Sequence, residues 1–351
     1  MLFTLANKVM SQMTDVNWMS YVNDNLKLNQ INIPGTHDSS TFRIAVTDEN
    51  NNNIYRTQYK SIKDQLNIGV RYFDIRMAWN PIGQIHIVHD VAECKDENGQ
   101  NIFLKNILND CSEFLNEHKS ETVILHLKLE DSNNLNHEFI KNQVNEYIND
   151  YIKNDKMFNT ELPENKTRMP KLEEVRSKIV IVTRKPEYNG IHIALNNKPE
   201  DVQYDIKKCD FNNNYECRIQ DGYNLPMEGK WEAVEKLIAD QKLINQGDAL
   251  GENVLAINFM STTVGNLEEV ATTLNNRLIK EESNNAALVP GKQYGWILVD
   301  FVDENVSRYI YKSNEVVKEN SSAGSSKIKF SVYLIIMKHM IEMVKVMLRN
   351  I

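Results

Sequence analysis

The sequence predicts an α/β fold, an irregular (β/α)8 barrel of the TIM type in a single domain, on three observations. Short β-rich runs alternate with stretches of helical periodicity from Ile31 to about Val302. Most of those runs are near-continuously apolar, as expected of parallel strands covered on their outer face. The 351 residues would hold two ordinary domains, but one barrel also fits that length.

Taken in order, the strand candidates are "INIPGT", "VRYFDIRM", "QIHIVH", "ETVILHLKL", "KIVIVTR", "CRIQDGY", "VLAINFMS" and "YGWILVDFV". Helical patterns lie between them. "FLKNILNDCSEFLNEH" puts Phe103, Leu104, Ile107, Leu108, Cys111, Phe114 and Leu115 on one face. "HEFIKNQVNEYINDYI" does the same with Phe139, Ile140, Val144, Tyr147 and Ile148. "KWEAVEKLIADQKLI" and "LEEVATTLNNRLI" repeat the pattern. Lys185 to Cys217 shows no helix, so the barrel is expected to be irregular there. The expected organisation is an N-terminal segment over 1–25, a catalytic barrel over 26–318, a linker over 319–326 and a basic, apolar tail over 327–351. In that tail Lys327, Lys329, Lys338, Lys345 and Arg349 stand against Glu342 alone, a net charge of +4. A helix packed on the barrel, a poorly ordered end and a segment lying in a membrane interface are all open for it.

A formal charge of −8 leaves no basic excess to neutralise phosphates, which argues against a nucleic-acid binder. The N-terminus lacks a basic stretch ahead of a short apolar run and makes a poor signal peptide. Cys94, Cys111, Cys209 and Cys217 show no CxxC spacing, which disfavours zinc. Cys209 and Cys217 are placed either to close a small loop disulfide or to stay as free thiols, and both readings stand.

Ionisable residues cluster at the strand ends. His37 follows the first strand, and Asp74 and Arg76 end the second. His89 ends the third, Lys128 sits late in the fourth and Arg184 closes the fifth. Asp221 ends the sixth, and Asp300 lies late in the eighth. In a (β/α) barrel these ends converge on the face that carries active sites. Two histidines and an arginine suit phosphoryl transfer: one imidazole takes a hydroxyl proton, the other protonates the leaving oxygen, and the guanidinium neutralises the non-bridging oxygens. Asp300 and Asp38 are placed to orient the imidazoles.

"PGTHDSSTF", "VRYFDIRM", "IHIVHD", "ETVILHLKLE", "KIVIVTR" and "GWILVDFV" occur in the order and spacing of the bacterial phosphatidylinositol-specific phospholipases C. The resemblance to this X-domain family covers roughly Ile31 to Val302. It implies that His37 is the general base, oriented by Asp300, and His89 the general acid, coupled with Arg76 through Asp38. It further implies that Arg76 contacts the phosphate and Asp74 supports the site. Lys128, Arg184 and Asp221 resemble the residues that hold inositol hydroxyls, and Tyr223 the aromatic packed on the ring. Metal-dependent relatives hold a cation near the second strand with carboxylates; Arg76 here points to metal-independent chemistry without a cofactor.

The implied reaction is attack of the inositol 2-hydroxyl on phosphorus, giving diacylglycerol and inositol 1,2-cyclic phosphate, with GPI-anchor cleavage as a second activity. The expected partner is phosphatidylinositol at a membrane surface, with the protein acting as a peripheral monomer. Members of the family carry exposed tryptophans in two rim segments; "RIAVTDENNNNIYR" and "MSTTVGNLEE" have none. A non-catalytic inositol-lipid or glycan-binding barrel and a metal-dependent phosphodiesterase barrel are the alternatives.

Overall fold

The computed structural model describes residues 14–314 except 46–51, 80–82, 131–136, 196–199 and 281–286. The expected linker and basic tail lie outside the described residues. Twelve strands are found among those described: β1 (Ile33–Thr36), β2 (Ile44–Ala45), β3 (Tyr72–Trp79), β4 (Ile85–His89), β5 (Ala92–Cys94), β6 (Val123–Leu129), β7 (Ile179–Thr183), β8 (Ile191–His192), β9 (Asp205–Cys209), β10 (Asn212–Gln220), β11 (Val254–Phe259) and β12 (Trp296–Val299). Six helices matter to the packing: α1 (Ile62–Asn67), α2 (Leu104–Glu117), α3 (His137–Lys153), α4 (Met227–Gln241), α5 (Leu267–Ile279) and α6 (Glu304–Lys312). Ser61, Asn266 and Asp303 cap α1, α5 and α6, each accepting a first-turn amide on its side chain.

Eight strands pair in parallel in the order β8–β7–β6–β3–β1–β12–β11–β10. Among the described residues β8 and β10 do not pair, so backbone hydrogen bonds do not close the ring. The sheet nevertheless curls on itself. Val180, Val182 and Ile191 from one end share a buried cluster with Cys217 and Ile219 from the other, and with Tyr72, Ile124, Leu255, Ile257, Trp296 and Leu298 between them. Alternate residues on the same strands, such as Phe73, Ile75, Leu125, Ile181, Ile297 and Val299, face outward into a second cluster with the helices. Each fully buried aliphatic side chain in these two layers contributes about 1.5–3 kcal/mol. This double burial explains why the strands read as continuous apolar runs.

The predicted strand set needs one correction. "QIHIVH" is not a barrel strand: β4 folds back antiparallel on the end of β3 and carries β5 with it, forming an arm above the ring. Its place is taken by β8, two residues long and too short to show periodicity. On α3 the predicted apolar face also differs, because Phe139 is 54% exposed and packs edge-on against Trp79. Part of Lys185–Cys217 is an antiparallel hairpin, in which β9 pairs β10 and a Cys209–Cys217 disulfide joins the strands. Side chains span the seam, where Asp210 accepts from the Ala194 amide and Lys207 donates to the Ala194 carbonyl.

Below the ring, at the N-terminal ends of the strands, Asp15–Tyr21 forms a 3-10 helix. Trp18 is fully buried there, stacked on Tyr311 and donating to the Gly69 carbonyl. A buried Arg71–Glu121 ion pair ties this segment down: Glu121 accepts from the Met19 amide, and Arg71 donates to the carbonyls of Asp15 and Val16.

Candidate active site

Strand alternation builds the site. On β3 the inward stripe runs Tyr72, Asp74, Arg76; on β6 it runs Ile124, His126, Lys128, then Glu130. On β7 it is Val180, Val182, Arg184; on β10, Cys217, Ile219, Asp221; on β12, Trp296, Leu298, Asp300. Each stripe thus starts apolar in the barrel and turns ionisable at the C-terminal mouth. On β1 the stripe is Ile33, Gly35, His37, and Gly35 has a packing reason: a Cβ there would lie 3.0 Å from Tyr72 Cβ and 3.1 Å from Leu298 Cγ.

His37 Nδ1 lies 3.0 Å from Asp300 Oδ1, while its Nε2 lies 3.2 Å from both Asp38 Oδ2 and Arg76 Nη2. Gln58 and Thr57 donate to its carbonyl and fix the backbone. Asp38 adopts a left-handed conformation (φ 41°), which an aspartate tolerates and which turns the chain out of β1. Its Oδ2 also lies 3.0 Å from His89 Nε2, so one oxygen faces both imidazoles. His89 reaches this point from the β4 arm, and its Nδ1 donates to the Tyr55 carbonyl at 2.7 Å. A ring that donates from Nδ1 and faces a carboxylate with Nε2 is held as the imidazolium.

Arg76 is the hub. Its Nε lies 2.6 Å from Asp38 Oδ1, its Nη2 3.0 Å from Asp74 Oδ2 and its Nη1 2.7 Å from Glu130 Oε1. Arg184 takes the other Asp74 oxygen at 3.0 Å, and Lys128 shares Glu130 at 2.9 Å. His37, Asp38 and Asp74 offer donor atoms within 4.8 Å of one another, near enough to share a cation. Arg76 bonds all three, so a fixed positive charge already serves these donors.

Burial works against charge throughout this cluster, and its balance with the neighbours decides each outcome. Burial would lower His37, but Asp38 and Asp300 outweigh it and raise the imidazole to about 9, with Arg76 opposing. His89 is also raised, because Asp38 outweighs its burial. Burial would raise Asp38 and Asp74, yet Arg76 leads the cations that hold both well below the usual carboxylate range. For Asp300 burial wins, and its carboxyl is raised despite His37.

A cavity of about 580 Å³ opens over these groups, lined by His37, Asp38, Arg76, His89, Lys128, Arg184, Asp221, Tyr223 and Asp300. Nine of the ten residues singled out from sequence therefore share one cavity wall. The tenth, Asp74, is fully buried beneath it and holds the Arg76 and Arg184 guanidiniums instead of facing a ligand. Sequence reading missed Glu130, although the alternation that picks Lys128 picks it too. It also missed the Tyr55 carbonyl, a backbone group with no sequence signature.

The sequence model for the phosphatidylinositol-specific phospholipase C X domain matches residues 31–185, the stretch from just before β1 to just after β7. Over that stretch the chain is similar to the phosphatidylinositol-specific phospholipase C X-domain family. The matched X-domain stretch supplies His37, Asp38, Asp74, Arg76, His89, Lys128, Glu130 and Arg184. Similarity extends beyond it. A 1-phosphatidylinositol phosphodiesterase from Staphylococcus aureus is 26% identical over 315 residues, covering 87% of this chain and 94% of that protein. One from Listeria monocytogenes is 26% identical, covering 88% of this chain and 87% of that one. Among solved structures, a variant of the S. aureus phosphatidylinositol-specific phospholipase C matches with a TM-score of 0.69 at 25% identity, covering 87% and 98% of the two chains.

Proposed function

We propose that the chain cleaves phosphatidylinositol on the glycerol side of its phosphodiester, by attack of the inositol 2-hydroxyl. His37 Nε2 takes the hydroxyl proton as the O2–P bond forms, and Asp300 holds its Nδ1–H. Arg76 stabilises charge on the non-bridging oxygens. As the P–O(glycerol) bond breaks, His89 gives its Nε2 proton to the departing oxygen, leaving diacylglycerol and inositol 1,2-cyclic phosphate. The observation carrying this reading is the placement of two imidazoles on one Asp38 oxygen beside Arg76, with ring centroids 6.4 Å apart. That spacing fits a base and an acid acting on one phosphodiester.

Arg76 between Asp38 and Asp74 supports metal-independent turnover. The rim supports action at a lipid surface: Ile54 and Tyr59 are more than half exposed, Val91 is 71% exposed, and Tyr59 packs on Phe301 beside Arg56. These residues lie in or near the first tryptophan-free rim segment and on the β4–β5 turn. Product analysis from phosphatidylinositol in detergent micelles, with and without EDTA, tests the reading. Inositol 1,2-cyclic phosphate in both samples is expected; an EDTA-sensitive reaction, or inositol phosphate without the cyclic intermediate, overturns it.

A further inference from the structure

Lys230 lies on the core-facing stripe of α4 with Val234, Leu237 and Ile238, and it is fully buried. A buried ammonium costs several kcal/mol unless partners compensate, and an aliphatic side chain would suit that stripe at no such cost. Stability is thus a poor reason for a lysine here. Its partners suggest another. Nζ donates to Gln220 Oε1 at 3.0 Å and to the Gly222 carbonyl at 3.3 Å. Gln220 is itself locked, donating to Asn258 Oδ1 and the Phe259 carbonyl and accepting from the Gly222 amide. Gly222 is hemmed in, since a Cβ there would meet Leu225 Cδ1 at 2.6 Å and the Asp201 carbonyl at 2.9 Å. Lys230 therefore grips, from behind, the turn whose front presents Asp221 and Tyr223 to the cavity.

We propose that Lys230 is a positioning residue for the polyol end of the substrate: its buried ammonium fixes the Gln220–Tyr223 turn so that Asp221 and Tyr223 meet the ring hydroxyls. This rests on the proposed function, and it separates the polyol wall from the His37–His89 centre. The charges that act on Lys230 are the carboxylates of Asp221, after β10, and Asp300, after β12. Burial outweighs them and brings the amine down to about 8. Above that value the ammonium loses its proton and its grip on the Gly222 carbonyl weakens.

The test uses the full chain with myo-inositol as probe. Affinity of the native protein for myo-inositol should fall as pH rises through 8. Lys230→Met should bind it about tenfold more weakly at pH 7, the scale of one charge-assisted hydrogen bond, and should lose the step near pH 8. The same variant should raise KM for phosphatidylinositol while kcat stays near native, and Lys230→Arg should recover part of the loss. A folded Lys230→Met with native affinity and KM overturns the proposal. Should that variant not fold, a native affinity that is flat through pH 8 overturns it. Either failure leaves inositol 1,2-cyclic phosphate as the native product, whereas failure of the functional reading removes that product from the native protein itself.

Discussion

The two imidazoles at the mouth are held by unlike parts of the molecule. His37 continues β1, a central strand of the parallel array, and of its partners Asp300 continues β12 and Arg76 lies within β3, the two strands that flank it. His89 hangs on the β4–β5 arm outside the ring, and its Nδ1 partner is the carbonyl of Tyr55, the last residue of a short helix (Asn52–Tyr55). Asp38 lies within 3.2 Å of both rings. The proposed base is thus built into the barrel, and the proposed acid is brought over it by an added element. The base side should tolerate little, while the acid side should matter only when a proton must be delivered.

The largest effects follow from removing either ring. His37→Ala and His89→Ala should each lower turnover on phosphatidylinositol by about 10²–10⁴. The double variant should be little worse than the poorer single, since both act on one transition state. A nitrophenyl ester of inositol phosphate divides them, because its leaving group needs no proton. His89→Ala should recover most of its rate on that substrate and His37→Ala none; equal losses on both would erase the assignment. Arg76→Ala should match the larger loss on either substrate with little change in KM, and added calcium should not restore it.

Removing one orienting carboxylate at a time sharpens the contrast. Asp300 raises the His37 pKa, so Asp300→Asn should lower it. With the neutral ring as the proposed base, activity should rise with pH through the His37 value. The ascending limb of kcat/KM should then move to lower pH in Asp300→Asn while the plateau falls, by equal factors on both substrates. Asp38→Asn removes the leading charge that raises both imidazoles. Its limbs should both move down, and the loss should be smaller on the nitrophenyl substrate. A native limb left in place in Asp300→Asn would dissociate Asp300 from the base.

The sequence exposes the base side more fully than the acid side, for a physical reason. Ile33–His37, Tyr72–Arg76 and Trp296–Asp300 are strands whose two-residue period carries straight into the site, so their ends announce it. His89 can be picked from "IHIVH", but the reversal of β4 depends on pairing with Met77–Trp79, which no local pattern states. β8 owes its existence to pairing with Val182 and Thr183, not to its own two residues. Lys230 was legible in principle, since it falls one turn before Val234 on an apolar face, yet charge at a helix start ordinarily reads as solvated.

Glu130 offers the smallest and most discriminating effect. It stands on the barrel side, two residues beyond Lys128 on the β6 stripe, and divides its carboxylate between Arg76 Nη1 and Lys128 Nζ. Burial would raise it, but those two cations hold its carboxyl below the usual glutamate value. Glu130→Gln keeps an acceptor for Arg76 and removes the charge, while Asp38 and Asp74 still hold the guanidinium. One weakened charged hydrogen bond should then cost about tenfold in kcat/KM. If Glu130 acts only through Arg76, that loss should be equal on phosphatidylinositol and on the nitrophenyl substrate, because the phosphate oxygens are common to both. A loss confined to the natural substrate would move Glu130 to the acid side and undo the division drawn between the two imidazoles.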